Sequence, residues 1–118
     1  MAGSDRSSPV SDSGESTDGI TLAEFQERIR RMYLRKDVAR GVDGTFMWLV
    51  EEVGELARAL RSSDHERKVE EFADVLAWLT TTASLAGVEM DEAARRFERG
   101  CPKCDRTPCV CVRGEGRS

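Results

Sequence analysis

The sequence predicts an all-α protein: a four-helix bundle, completed by oligomerisation, with a short Cys-rich C-terminal tail. Three observations carry this expectation. Apolar residues recur at helical spacing along most of the chain. Turn formers are scarce, 10 Gly and 3 Pro among 118 residues, which disfavours a turn-rich all-β fold. Charged residues make up 34% against 39% hydrophobic and 6% aromatic, a balance that suits exposed helices better than a membrane protein.

The same arithmetic excludes several function classes. A chain of 118 residues is near the size of one small domain. The longest uncharged stretch, Val75 to Val88, has 14 residues and contains four Thr or Ser. A bilayer span needs about 20 mostly apolar residues, so no membrane partner is expected. No basic-then-apolar leader opens the chain, so a cytoplasmic protein is expected. Eighteen Lys and Arg against 22 Asp and Glu give a net charge of −4, which argues against a nucleic-acid partner.

Residues 1–20 are rich in Ser, Gly and Asp and too poor in apolar side chains to offset ordering entropy, which predicts a disordered arm. A helical domain is expected over 21–100. Thr21-Leu-Ala-Glu24 fits a capping box. Leu22, Phe25, Ile29, Met32 and Tyr33 then mark a first helix to about Leu34 or Lys36. It carries Arg28, Arg30, Arg31, Arg35 and Lys36, either a solvated face or an attraction for an anionic ligand. Gly41-Val-Asp-Gly44 reads as a loop, followed by a second helix over about Phe46 to Arg61. Ser63-Asp-His-Glu66 reads as another capping box, opening a third helix that Gly87 ends. A short fourth helix is expected from Asp91, as N-cap, to Arg99. So small a core lies near the lower limit for self-sufficiency, which predicts a homodimer or higher homo-oligomer.

Two acidic motifs stand out: Glu51-Glu52-Val-Gly-Glu55 and Glu71-Phe-Ala-Asp74. At about 100° per residue, Glu52 borders the stripe formed by Leu49, Val53, Leu56 and Leu60. Glu71 and Asp74 edge the stripe of Phe72, Val75, Leu76 and Leu79. If the stripes pack together, the carboxylates converge. Anions brought together must protonate, find cations or bind a metal. From Asp43 to Gly87 nine acids face four bases, a balance of −5, so neighbouring Arg and Lys do not neutralise them. Oxygen donors without His or Cys suit Mg²⁺ or Mn²⁺, and Mg²⁺ commonly shares its coordination with substrate phosphates.

WLVEEVGELARAL followed by EEFADVLAWL resembles the MazG-like family of all-α nucleoside triphosphate pyrophosphohydrolases. The family pattern is EExxE, a spacer, then ExxD; here fifteen residues, Leu56 to Glu70, separate the motifs. The resemblance covers roughly Phe25 to Arg99. It implies an oligomeric helical bundle that hydrolyses a nucleotide substrate to a monophosphate and pyrophosphate with Mg²⁺. It implies Glu52, Glu55, Glu71 and Asp74 as metal ligands. Glu51 is then the catalytic candidate, which orients or deprotonates water, or else supports the ligands from behind. Phosphoribosyl-ATP pyrophosphohydrolase of histidine synthesis, from the same superfamily, is the nearest alternative enzyme. A non-catalytic zinc-tail interaction protein on an inactive bundle is the alternative of another class.

Trp48 lies one turn before Glu52 and Trp78 one turn after Asp74, where a ring either packs the core or stacks on a nucleobase. Lys36, with Arg35 and Arg40, is a candidate for phosphate contact. Gly54 is costly inside a helix, by up to about 1 kcal/mol, and either admits a close approach or is tolerated. His65, the one His, reads as a surface residue of the capping turn.

The tail over 101–118 holds Cys101, Cys104, Cys109 and Cys111 in a C-x₂-C-x₄-C-x-C arrangement. Four thiolates within eleven residues can surround one structural zinc ion. Redox-active thiols, cluster ligation and a flexible tail are the other readings.

Overall fold

Thr21 starts the first helix with the reciprocal bonds its sequence predicts. Its Oγ1 accepts from the Glu24 backbone N–H at 3.0 Å, and its own N–H donates to Glu24 Oε1 at 2.8 Å. In this computed structural model residues 19–112 are described. The arm expected over 1–20 lies outside them except for Gly19 and Ile20, as does the tail beyond 112.

The helix so begun, α1 (Leu22–Ala59), is broken once, at Gly41, where φ is 84° and ψ 168°. The expected loop over Gly41 to Gly44 is therefore a single residue, and the first arm extends past Lys36 to Arg40. A tether spans the break. Arg40 Nη1 donates to Asp37 Oδ1 at 3.1 Å and to Thr45 Oγ1 at 2.9 Å. Thr45 is fully buried and Asp37 nearly so. A left-handed φ costs a non-glycine residue about 1–2 kcal/mol, which explains glycine at this one position.

Helix α2 (His65–Leu85) starts one residue later than a Ser63 cap implies: Asp64 Oδ1 accepts from the Arg67 N–H at 3.3 Å. A carboxylate at this position also complements the positive end of the helix dipole. The helix ends as predicted at Gly87, with φ 79°. Val88 N–H donates to the Ala83 carbonyl at 2.8 Å and Gly87 N–H to that of Ser84 at 3.1 Å, a Schellman closure. Helix α3 (Met90–Ala94) is shorter than expected and passes into a 3₁₀ turn, Arg95–Phe97. Its N-cap is Glu89, not Asp91; Asp91 lies in the first turn and pairs with Arg95 at 3.3 Å. Among the described residues there is no strand, and no helix is long and apolar enough to cross a membrane.

Helix α2 packs against both arms of α1 and runs antiparallel to the second. Gln26 on the first arm meets Ser84, Trp48 on the second meets Trp78, and Glu52 meets Glu71 and Asp74. Gln26 is fully buried and holds the α2–α3 turn. Its Nε2 donates to Ser84 Oγ at 2.9 Å and to the Val88 carbonyl at 3.0 Å, while its Oε1 accepts from Met90 N–H at 2.7 Å.

The packing departs from the expected stripe-on-stripe seam. The buried apolar residues among those described are Ile29, Leu49 and Ala59, joined by Gln26, Asp37, Thr45, Thr80 and Thr81. Phe72 is 55% exposed, and Leu76, Leu79, Val53 and Leu60 are exposed too. Helix α2 meets α1 along one side only, and that side bears Glu71, Val75, Trp78 and Thr81. The apolar stripe of Phe72, Leu76 and Leu79 faces outward.

Candidate active site

The inward side of α2 carries the acids into the helix contact. Glu52 comes from the second arm of α1, Glu71 and Asp74 from α2. One carboxylate oxygen of each lies within 4.8 Å of the others. Glu52 and Glu71 are half-buried and Asp74 is exposed. Burial, together with the charges of Asp74, Glu71 and Glu55, pushes the Glu52 carboxyl above its ordinary range. Glu71 Oε1 is buried without a hydrogen-bond partner. Among the described residues none of the three carboxylates is ion-paired.

Such a group is unfavourable by itself, since an unpaired buried acceptor loses its hydration without compensation. Three oxygen donors within reach of one point are the donor set a hard divalent cation takes. The orphaned oxygen of Glu71 is a buried acceptor that such an ion could satisfy.

Two members of the EExxE motif stand outside this group. Glu55 Oε2 accepts from Arg58 Nη2 at 2.7 Å, although its charge still acts on Glu52. Glu51 is exposed. His65 is also exposed, at the first residue of α2. Among the described residues a Cβ built on Gly54 meets nothing within 4 Å, so no close approach by any of them explains that glycine.

Beside Asp74 opens a cavity of about 300 Å³, lined by Tyr33, Lys36, Asp37, Arg40, Asp74, Ala77, Trp78 and Thr81. Ligand pockets start at about this size. Trp78 forms part of its wall and Trp48 does not. The two rings stack on one another, centroids 5.8 Å apart and planes 15° from parallel. Lys36 and Arg40 line the cavity, whereas Arg35 borders a separate groove along α1.

Asp37, Tyr33 and Thr81 were not among the sequence candidates. Asp37 carried a readable signal: with Ile29 and Tyr33 it falls at spacing four on one face of the first arm, and an acid on that face needs a partner.

The four cysteines form a second cluster, their Sγ atoms within 4.8 Å of one another. Cys101 and Cys111 Sγ are 3.8 Å apart, and Cys104 and Cys109 Sγ 4.0 Å. Hydrogen bonds from the Lys103 and Cys104 backbone N–H groups bring the Cys101 thiol down to about 6. The bond with Cys109, then burial, push Cys111 up to about 12.

The sequence model of one family, described as the MazG nucleotide pyrophosphohydrolase domain, matches residues 40–105. That span contains every acid of both motifs and both tryptophans. Compared with curated proteins, the chain finds no match.

Proposed function

The chain belongs to the MazG nucleotide pyrophosphohydrolase domain family, and on that premise we propose that it hydrolyses a nucleoside triphosphate to the monophosphate and pyrophosphate, using Mg²⁺ or Mn²⁺. In this reading Glu52, Glu55, Glu71 and Asp74 hold the metal. The observation that carries it is the gathering of one oxygen each from Glu52, Glu71 and Asp74 within 4.8 Å, with Glu71 also holding a buried carboxylate oxygen that has no hydrogen-bond partner. When bound, the divalent cation neutralises phosphate charge and lowers the pKa of water.

The protein's own side chains do the rest. Glu55 leaves Arg58 for the site at small cost, because an exposed ion pair is worth under about 1 kcal/mol. Glu51 orients the attacking water and takes its proton as the water oxygen bonds to phosphorus and the pyrophosphate oxygen departs. Lys36 offers its ammonium group to the polyphosphate. Trp78, with Trp48 stacked on its ring and the Arg40 guanidinium over it, forms the cavity wall against which the nucleobase lies. A second copy, at least, covers the outward stripe of Phe72, Leu76 and Leu79, since contiguous exposed apolar surface marks an interaction site. The assembly works in the cytoplasm, where thiols such as those of the tail stay reduced.

The test is a screen of the purified chain for pyrophosphate release from canonical and modified nucleoside triphosphates and from phosphoribosyl-ATP, with and without Mg²⁺. Release from a triphosphate only with Mg²⁺, abolished in Asp74→Ala and in Glu55→Ala while the oligomer survives, is the expected result. Near wild-type turnover in either variant overturns the ligand assignment. A preference for phosphoribosyl-ATP overturns the substrate.

A further inference from the structure

The acidic site leaves the cysteine cluster unexplained. We propose that Cys101, Cys104, Cys109 and Cys111 bind one zinc ion, a closed four-thiolate site that folds the C-terminal loop and takes no part in the hydrolysis.

The spacing of the sulfurs fits this ion. A tetrahedron with zinc–sulfur bonds of about 2.3 Å has edges of about 3.8 Å. The Cys101–Cys111 and Cys104–Cys109 separations are 3.8 and 4.0 Å, and all four sulfurs lie within 4.8 Å of one another. A disulfide requires about 2.05 Å, so neither pair is bonded. A multi-iron cluster needs its cysteine sulfurs spread around a larger core than these enclose.

The backbone is shaped to bring the sulfurs together. Gly100 has φ 109°, and a Cβ there would lie 2.8 Å from the Arg106 carbonyl carbon and oxygen and from Thr107 Oγ1. That position therefore admits only glycine. Cys101 N–H donates to the Arg106 carbonyl at 3.0 Å, and Asp105 N–H to the Cys101 carbonyl at 2.6 Å, closing the loop on itself. Backbone N–H groups also point at the sulfurs. Val110 N–H donates to Cys104 Sγ at 3.5 Å and Cys111 N–H to Cys109 Sγ at 3.3 Å. Such donors favour thiolate, the form that ligates metal.

The loop has little else to hold it. Residues 101–112 contain no helix or strand, and the valines among them, Val110 and Val112, are both exposed. A segment that buries so little apolar surface does not repay its ordering entropy, and a structural metal is the usual remedy. Four cysteine ligands leave no open position, which excludes a catalytic role for the ion. The family match ends at residue 105, before Cys109 and Cys111, so half of this donor set lies beyond the matched span.

The test reads metal content, not turnover, so its outcome is independent of the pyrophosphohydrolase reading. The full chain, purified under reducing conditions, is loaded with zinc, dialysed against zinc-free buffer and measured by elemental mass spectrometry. One zinc per chain is expected to remain. Cobalt(II) in its place is expected to give thiolate-to-metal charge transfer and the strong visible bands of a tetrahedral site. Cys104→Ser/Cys109→Ser is expected to lose both, with circular dichroism confirming intact helices; the single variant Cys109→Ser is expected to retain zinc less tightly than the parent. Absence of retained zinc in the parent, unchanged zinc in the double variant, or iron in its place overturns the proposal.

Discussion

The Arg40 guanidinium lies over the ring of Trp78, its central carbon 4.8 Å from the ring centroid. The same group donates to Asp37 and Thr45, so one side chain ties the break at Gly41 to the cavity wall. Arg40→Lys keeps the charge but loses the planar fork that serves all three partners. We expect Arg40→Lys to raise the KM for nucleotide, with a smaller effect on kcat, because the wall loosens while the acids stay in place. Asp37→Asn weakens the tether from the other side, and we expect it to cost about 1–3 kcal/mol of stability. Steady-state kinetics and urea denaturation check the pair. An unchanged KM in Arg40→Lys would separate the tether from substrate binding.

Glu52 sits among charges of its own sign, and that crowding sets the sign of the next prediction. In chelator-treated protein, Glu52→Gln removes repulsion with Asp74 and Glu71 while nearly keeping the side-chain volume. We expect its melting temperature without divalent cation to equal or exceed that of the parent. Added Mg²⁺ is expected to raise the parent's melting temperature and leave the variant's nearly unchanged, because stabilisation by a ligand follows its affinity for the folded state. Thermal melts across a Mg²⁺ titration make the comparison. A variant that still gains as much as the parent would remove Glu52 from the metal's donors.

These two sites differ in how far the residues announced them. The pairing of Glu71 with Asp74 followed from motif spacing and the helical period, because carboxylates one turn apart share a helix face, whereas Glu52 joins them through the contact between α1 and α2, on a different side of α2 from its apolar stripe. The caps at Thr21 and Gly87 were equally local. What spacing did not reveal was which face of α2 turns inward. Phe72, Leu76 and Leu79 are the more apolar choice, and a propensity argument buries them. The chain instead packs Trp78 and Thr81 inward against α1, which covers only one side of α2. The Asp37–Arg40–Thr45 tether was equally hidden. Gly41 and Gly44 together resemble a loop, and only the closing of that hydrogen-bond set shows that one glycine suffices for the turn.

The outward stripe yields a prediction about assembly. Phe72 and Leu76 are four residues apart on α2, both exposed in the single chain. A charge at each position opposes desolvation of that face. Phe72→Glu/Leu76→Glu is expected to sediment as a monomer with retained helical content, while the parent sediments as a dimer or larger. A parent that sediments as a monomer at every concentration tested would leave the stripe uncovered and overturn the second-copy reading.

Gln26 offers the last test, of how the α2–α3 turn is held. Its amide is the shared partner of Ser84 Oγ, the Val88 carbonyl and Met90 N–H. Gln26→Ala orphans all three and leaves a cavity in a fully buried position. Each buried group left unpaired costs about 1–3 kcal/mol where water cannot reach it, so we expect Gln26→Ala to destabilise more than Ser84→Ala, which removes one acceptor alone. Hydrogen exchange locates the effect. Loss of protection is expected first at Met90, whose N–H bonds to Gln26, with the second arm of α1 far less affected. Equal loss of protection along all of α1 would instead mean that Gln26 supports the whole two-helix contact, and not the turn alone.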